Sequence, residues 1–386
     1  MARVHPFRAL RYTPAAGDIA GLATLPYDVI PPDLEEHYRA RSPYNLVHLI
    51  LPRGDYAGAA RRLAEWRAAG ILAPETEEAI YVYEQRFPAP GSGQWLTRRG
   101  FIALGDTEPY GETVFRHEFT LSGPKEDRFR LLQATHVQFD SIFMLFADPQ
   151  HDVQAMLDTA AAQPPELEYT DHQQTLHRLW RLTDPAWISR LQSHMADRKL
   201  LIADGHHRYE TALRIGQPRT MMTLVPLESP GLRCFATHRL VHSLPTFDPA
   251  ALLASLPGVA PGIDPLVSPP GRVRIGIVTA LGEHHADVPA PDGALNVVLL
   301  HERILAPLLG ITPEVAASGG HLAYTRSREE AVEAVRSGRA QAAFLLEDLP
   351  VQDLARAAFA GQVLPQKSTY FYPKLGSGLV MYELPA

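Results

Sequence analysis

The order of apolar and polar residues divides the chain into strand-like and helix-like segments. Residues 79–87 and 97–104 carry β-branched and aromatic side chains in partial alternation, and a Pro/Gly-rich stretch lies between them. This pattern predicts a β-hairpin. The segment 56–70 has apolar residues at helical spacing and a closing glycine, which predicts a helix. A second helix is expected to begin near Ser122, where a proline follows early.

The middle of the chain contains two short apolar runs that predict buried strands. Residues 139–148 form one of them and 199–203 the other, with a helix expected at 209–215. Between the two runs, the pattern predicts that 150–195 is mostly helical, with breaks at Pro164-Pro165 and Asp184-Pro185.

The C-terminal part begins after the stretch richest in proline and glycine, residues 257–271. Strand-like and helix-like segments alternate beyond it, which suggests an α/β or α+β part. We therefore expect an α+β fold with a mixed sheet, divided into a region 1–245 and a region 246–386.

Composition narrows the class of protein. The chain has 386 residues, a net charge of −7, 17 histidines and a single cysteine, Cys234. One cysteine excludes an internal disulfide framework and cysteine-rich metal sites. No apolar run approaches the roughly 18–20 residues of a membrane span, and the first residues lack the apolar core of a signal peptide. The expectation is a cytoplasmic enzyme with neither a membrane nor a nucleic-acid partner.

The segment Asp204-Gly205-His206-His207-Arg208 carries the clearest chemistry. It joins an apolar strand to a helix, and a helix N-terminus offers unpaired N–H groups that bind phosphate. The two histidines and the arginine add donors, and the glycine allows close approach. A carboxylate beside phosphate makes sense if Asp204 holds Mg²⁺ or accepts the proton of an attacking hydroxyl. The combination points to phosphoryl transfer.

Two other interpretations of this segment remain open. Asp204 could simply cap the helix, with the basic residues on a solvated face. The histidines could also serve a metal-dependent hydrolase, but adjacent histidines diverge on a helix, whereas zinc motifs place their ligands on one face.

A second polar cluster precedes the helix expected at 122. His117 is a candidate substrate-binding residue that would donate a hydrogen bond, and Glu118 is a candidate general base. Lys125 and Arg128 share one helical face and are candidate phosphate ligands. The alternative is a capping region with surface ion pairs.

A third cluster lies near the C-terminus. Lys367, Ser368, Thr369 and Lys374 flank an aromatic strand and are candidate phosphate ligands, expected to return to the same cleft as His206. The alternative is a closing strand whose aromatic residues fill the core.

Near the N-terminus, three residues are candidates for substrate binding. Arg8, Tyr27 and Asp28 lie close to prolines that would hold them rigidly. A proline-flanked turn without function is the alternative for Asp28.

Seven segments in order resemble the DUF 1015 family of bacterial and archaeal proteins of unknown function. They are HPFRALRY, LPYDVIPP, SPYNLVHLILP, IYVYEQRF, HEFTLSGPKEDR, IADGHHRYETAL and LPQKSTYFYPKLGSGLV. The Asp-Gly-His-His-Arg segment is also similar to that of the ParB/sulfiredoxin-like free serine kinases.

The second resemblance implies a fold and an activity. The fold would be a ParB-like core around 195–245, and the activity phosphorylation of free L-serine to O-phosphoserine with Mg²⁺ and with ATP, ADP or pyrophosphate as donor. Asp204 would take the acidic role, and His206, His207 and Arg208 would bind phosphate. A nucleotide-binding regulator of ParB-like type without kinase activity is the alternative, and a homodimer is an open possibility.

Overall fold

The computed structural model describes residues 2–90, 93–118, 122–291 and 293–385, with the side chains of 122–125 and 317 outside that description. The chain forms two compact units. The first unit comprises Met1–Arg116, Leu121–Leu232 and Pro373–Ala386, and the second comprises His117–Thr120 and Arg233–Tyr372. The predicted division of the chain into regions 1–245 and 246–386 stays a prediction.

Strands and helices are numbered along the chain. The strands are β1 (Val4–His5), β2 (Leu10–Tyr12), β3 (Leu72–Pro74), β4 (Ile80–Pro88), β5 (Trp95–Asp106), β6 (Val114–Phe115), β7 (Val137–Gln138), β8 (Ile142–Phe146), β9 (Leu167–Thr170), β10 (Leu176–Leu182), β11 (Leu200–Asp204), β12 (Arg219–Pro226), β13 (Arg233–Phe235), β14 (His238–Val241), β15 (Ala260–Pro261), β16 (Arg272–Thr279), β17 (Gly282–Pro289), β18 (Leu322–Thr325), β19 (Ala342–Leu345), β20 (Tyr370–Tyr372) and β21 (Tyr382–Glu383). The α-helices are α1 (Pro32–Arg41), α2 (Val47–Ile50), α3 (Tyr56–Ala68), α4 (Ser122–Thr135), α5 (Asp152–Ala161), α6 (Pro185–Met195), α7 (His206–Arg214), α8 (Pro249–Ala254), α9 (Asn296–Leu300), α10 (Ala306–Leu309), α11 (Pro313–Ala317), α12 (Arg328–Arg336) and α13 (Val351–Phe359). Short 3₁₀ turns span Pro14–Ala16, Ile19–Gly21 and Tyr27–Val29, and a π-helical segment spans His301–Leu305.

The first unit is built on a large mixed sheet with the order β6-β11-β8-β12-β5-β4-β10-β9, and β1 pairs with β5. β11 runs parallel to β6 and β12 parallel to β8, while the other neighbours are antiparallel. The hairpin predicted from the sequence is the antiparallel pair β4 and β5. All five residues of β8 are buried, as a continuous apolar run in a sheet interior requires. The predicted α+β fold with a mixed sheet is confirmed.

Helices cover this sheet and supply its core. Apolar side chains of α5 and α6, among them Leu157 and Leu191, pack against sheet residues such as Met144 and Ile202. Asp184 begins α6 by accepting a hydrogen bond from the backbone N–H of Ala186. A second apolar cluster joins α2, α3 and α4.

The residues before β8 and after β11 share one edge of the sheet. β8 is antiparallel to β11, with Phe143 opposite Asp204, so the beginning of β8 meets the end of β11. A register shift interrupts the pairing between Ile202 and Asp204. Such irregularities redirect side chains at strand ends.

The second unit contains an antiparallel sheet with the order β15-β17-β16-β19-β14-β18. Helix α12 packs on it through Ala331 and Ala334, against Val278 and Leu345. The alternation of strands and helices predicted for this part is present. Because the neighbouring strands are antiparallel, it is the α+β alternative that describes this unit.

The prediction that 150–195 is mostly helical is wrong. The antiparallel strands β9 and β10 lie between α5 and α6, and β10 also pairs along its length with β4. The polar residues Arg178 and Arg181 obscured the strand pattern of β10, because their partners Glu84 and Glu75 come from distant parts of the chain. Within the described part of the chain, every helix is too short or too polar to cross a membrane.

Candidate functional site

Asp204 ends β11 and its side chain faces two cations. One of its carboxylate oxygens, Oδ2, accepts a hydrogen bond from Lys374 Nζ at 3.1 Å and lies 3.8 Å from a terminal nitrogen of Arg208. Exposed fractions of the three side chains are 22% for Asp204, 10% for Lys374 and 12% for Arg208. Gly205 then turns the chain into α7 with φ +93°, and a Cβ there would stand 3.0 Å from the guanidinium of Arg208. Glycine suits this turn because it adopts positive φ without strain and has no Cβ that would crowd Arg208.

These charges control the ionisation of Asp204. Burial alone would raise the pKa of its carboxyl, but Lys374 and Arg208, with a smaller contribution from His206, hold that pKa well below the usual range. Burial acts in the opposite sense on Arg208, whose pKa is nevertheless raised because Asp140, Asp204 and Asp28 are near. Asp204 is therefore a carboxylate and Arg208 a guanidinium at neutral pH.

The backbone that carries Lys374 is held by buried polar side chains of β4 and β5. Gln85 donates from Nε2 to the carbonyl oxygen of Lys374 at 2.7 Å, and Arg98 donates to the carbonyl oxygen of Pro373 at 2.6 Å. Gly376 donates its backbone N–H to the hydroxyl of Tyr83 at 3.0 Å. These contacts fix the segment 373–376 against the sheet.

Asp140 lies just before β8, at the same edge. Its residue exposure is 9% and its Oδ1 has no hydrogen-bond partner. Burial raises the pKa of its carboxyl, although Arg208, a hydrogen bond from Ser377 and Arg128 oppose that rise. Arg208 also donates a hydrogen bond to the carbonyl oxygen of Ser141, the next residue. We call Asp140, Asp204, Arg208, Lys374 and Ser377 the Asp204 cluster.

Three predicted residues border this cluster. The guanidinium of Arg128 lies 3.8 Å from the ring centroid of Tyr27 and donates hydrogen bonds to Asp127. Burial raises the pKa of the Tyr27 hydroxyl, and the charges of Asp28, Arg128 and Arg208 also act on it. Asp28 itself is exposed.

The first unit holds four further candidates. His206 and His207 are half-buried in the first turn of α7, and Arg8 is exposed. The side chain of Lys125 lies outside the described residues.

The remaining candidates belong to the second unit, where they form a separate cluster. His117 is buried and its Nε2 lies 2.8 Å from Thr369 Oγ1 and 3.9 Å from an oxygen of Glu118. Glu118 accepts a hydrogen bond from the backbone N–H of Lys367 at 2.8 Å. Ser368 is buried and donates to the carbonyl oxygen of Pro365. The structure thus brings Lys374 to Asp204, and it groups Lys367, Ser368 and Thr369 with His117 and Glu118.

The described side chains do not form a magnesium site by themselves. No group of three or more His, Cys, Asp or Glu residues among them is arranged to hold a metal ion. Asp204 is also engaged by Lys374. Magnesium in phosphate-transfer sites takes one or two carboxylates plus phosphate oxygens and water, so most ligands would have to come from a bound donor.

Sequence reasoning missed Asp140, Ser377 and the buried pair Gln85 and Arg98. The predicted strand 139–148 included Asp140, and the one available signal was that Asp140 and Ser141 precede an all-apolar run. The pair in β4 and β5 had one available signal, which is that polar residues interrupt an otherwise apolar hairpin.

Several solved structures resemble the chain at low identity. A conserved hypothetical protein from Pyrococcus furiosus shares 12% identity over 70% of this chain and 91% of that chain, with a TM-score of 0.39. A free serine kinase in complex with AMP shares 14% identity over 70% of this chain and 88% of that chain, with a TM-score of 0.41. SbnI with a C-terminal truncation, from Staphylococcus aureus, shares 10% identity over 71% of this chain and 84% of that chain, with a TM-score of 0.39. At these scores the similarity carries no inference about function.

The curated proteins provide no match. The family model described as "Protein of unknown function (DUF1015)" matches residues 4–299. This span is most of the chain and includes the whole strand–glycine–helix element, so the resemblance found in the sequence is confirmed. The chain belongs to the DUF1015 family.

Proposed function

We propose that the first unit is a small-molecule kinase that transfers a phosphoryl group to the hydroxyl of free L-serine. The observation that carries this proposal is the position of Asp204, an ionised carboxylate between Lys374 and Arg208 at the N-terminus of α7. Phosphoryl transfer requires a polar group that orients the attacking hydroxyl and fixed positive charge near the phosphoryl oxygens.

In the proposed reaction, Asp204 orients the serine hydroxyl. A bond forms between the serine oxygen and the transferred phosphorus, the bond from that phosphorus to the donor's leaving oxygen breaks, and the hydroxyl proton passes to Asp204. A carboxylate with a low pKa is a weak base, but in a loose transition state the proton leaves late and orientation matters more than basicity. Lys374 and Arg208 offset the charge on the phosphoryl oxygens.

The donor phosphates would lie at the start of α7. Backbone N–H groups of the first turn point out of the helix there, and His206 and His207 stand in that turn. ATP, ADP and pyrophosphate all present suitable oxygens, and Mg²⁺ would enter with them. Tyr27 and Asp28 are proposed substrate contacts, and both interact electrostatically with Arg208.

The test is phosphorus NMR of L-serine mixed with the protein, Mg²⁺ and each donor in turn. We expect phosphoserine with at least one donor. Asp204→Asn keeps the shape of the side chain and should lower the rate by about 10²–10⁴-fold while donor binding persists. Asp184→Asn is the matched control, because Asp184 also precedes a helix and asparagine caps equally well.

Two outcomes would contradict the proposal. One is the absence of phosphoserine with every donor, and donor binding without transfer would then favour a nucleotide-binding regulator. The other is an Asp204→Asn variant as active as the Asp184→Asn control, which would remove Asp204 from the reaction.

A further inference from the structure

Asp140 has a carboxylate oxygen for which the protein provides no donor. The residue is 9% exposed, and Oδ1 is enclosed without a hydrogen-bond partner, although Ser377 bonds to the same carboxyl. An unsatisfied buried acceptor costs about 1–3 kcal/mol, so its retention calls for an explanation. A ligand that brings its own donor would satisfy it.

Asp140 also lines a groove that shares Arg208 with the proposed reaction centre. A groove is lined by Asp140, Arg128 and Arg208, with Thr211 of α7 and apolar residues of α4 and β7 around them. Arg208 lines this groove with Asp140, donates a hydrogen bond to the carbonyl oxygen of Ser141 and lies 3.8 Å from Asp204. A ligand held at Asp140 would therefore be near the same guanidinium that approaches Asp204.

The charges of this groove are those that a free amino acid needs. An α-ammonium group donates three hydrogen bonds and carries a positive charge, which suits a buried carboxylate with an open acceptor. An α-carboxylate requires the opposite charge, and the guanidinium groups of Arg128 and Arg208 border the same groove. Neutral alcohols and simple hydroxy acids lack the ammonium group.

We infer that Asp140 is the specificity residue for the substrate, receiving the α-ammonium group of an amino acid whose carboxylate faces Arg128 and Arg208. This assignment rests on the proposed function for the identity of the reaction. It adds the residue that selects the acceptor, by recognising the ammonium group that distinguishes an α-amino acid from a simple hydroxy acid.

The first experiment measures binding to the wild-type protein by calorimetry. The probes are L-serine, 3-hydroxypropanoate, which lacks the ammonium group, and ethanolamine, which lacks the carboxylate. We expect L-serine to bind at least about tenfold more tightly than either analogue, because a charged hydrogen bond is lost in each. If 3-hydroxypropanoate binds as tightly as L-serine, or if L-serine does not bind, the inference is overturned.

The second experiment repeats these titrations with Asp140→Asn. We expect the preference for L-serine over 3-hydroxypropanoate to fall by at least about tenfold, with little change in 3-hydroxypropanoate affinity. Asp148→Asn is the matched control, since Asp148 is a fully buried aspartate beyond the other end of β8. An unchanged preference in Asp140→Asn would refute the assignment, and the wild-type comparison remains decisive if that variant does not fold.

The two proposals fail in different ways. Phosphoserine formation tests the kinase activity, whereas these titrations need no turnover. Selective serine binding without phosphoserine formation would support the role of Asp140 and contradict the kinase activity. Phosphoserine formation with an unchanged ligand preference in Asp140→Asn would support the kinase activity and contradict the role of Asp140.

Discussion

Two aspartates at one edge of the first unit's sheet have opposite electrostatic environments. Lys374 and Arg208 overcome the effect of burial on Asp204 and keep its pKa low, whereas burial prevails at Asp140 and raises its pKa. Environments that push the pKa values of neighbouring carboxyl groups apart are typical of sites that give the groups different tasks. The difference supports separate roles, with Asp204 at the hydroxyl and Asp140 at the ammonium group.

The ion pair of Asp204 predicts a pH-dependent loss of stability in Lys374→Met. The variant leaves a mostly buried carboxylate without its nearest cation, so we expect the free energy of unfolding at pH 7 to fall by about 1–3 kcal/mol. Because the folded pKa of Asp204 is depressed, its stabilising contribution is present above about pH 3.9 and is lost as the pH falls towards the folded value. Urea unfolding at pH 7, 5 and 3 should show the difference from wild type shrinking below pH 4. A difference that is the same at all three pH values would contradict the pairing.

A buried hydrogen-bonded chain connects the sheet to the segment that carries Lys374. Tyr83 accepts the N–H of Gly376, and its hydroxyl lies 2.6 Å from His177 Nδ1. His177 Nε2 lies 3.1 Å from Asp171 Oδ2. The chain is satisfied when Tyr83 donates to a neutral imidazole whose Nε2–H donates to Asp171, and burial lowers the pKa of His177 in agreement with a neutral ring.

Tyr83→Phe should loosen this segment. The variant removes the acceptor of the Gly376 N–H and the donor to His177, so we expect a loss of about 1–3 kcal/mol and faster hydrogen exchange at Gly376. Tyr110→Phe is the matched control, because the buried Tyr110 hydroxyl has no hydrogen-bond partner. Equal exchange rates at Gly376 in the two variants would show that the chain does not hold the segment.

At the scale of the molecule, the second unit buries histidines that stay neutral. Burial lowers the pKa of His301 to about 3, and the nearby charge of Arg239 acts in the same direction. His238 follows the same pattern, with its pKa lowered to about 4 chiefly by burial. An unfolded histidine takes up a proton near pH 6.5, so each of these residues favours unfolding as the pH falls below that value.

His301→Leu should therefore make the protein less sensitive to acid. The contribution of His301 is complete above about pH 6.5 and declines by about 1.4 kcal/mol for each pH unit below it, down to the folded pKa. Between pH 7 and pH 5, the variant should lose about 2 kcal/mol less than wild type in urea unfolding followed by circular dichroism. His37→Leu removes an exposed histidine and serves as the control. Equal losses in His301→Leu and wild type would contradict the expectation.

Local patterns in the sequence determined the hairpin of β4 and β5, the helix α3 and the strand–glycine–helix element with Asp204 and its basic first turn. These features depend on residues close together in the chain, whose spacing fixes secondary structure and helix-terminal chemistry. The family followed from the same short segments. The strands β9 and β10 escaped prediction because polar residues such as Arg178 find their partners on neighbouring strands of the sheet.

Only the tertiary structure decided the composition of the Asp204 cluster. Lys374 reaches Asp204 from 170 residues away, and buried side chains of β4 and β5 hold its backbone there. Lys367 and Thr369, seven and five residues earlier, belong to the second unit with His117 and Glu118. Asp140 gained its electrostatic environment from strand pairing and from Arg208 and Ser377. The sequence supplies these charges, but their distances and burial, which set the pKa values and the ligand the site accepts, arise from packing between distant segments.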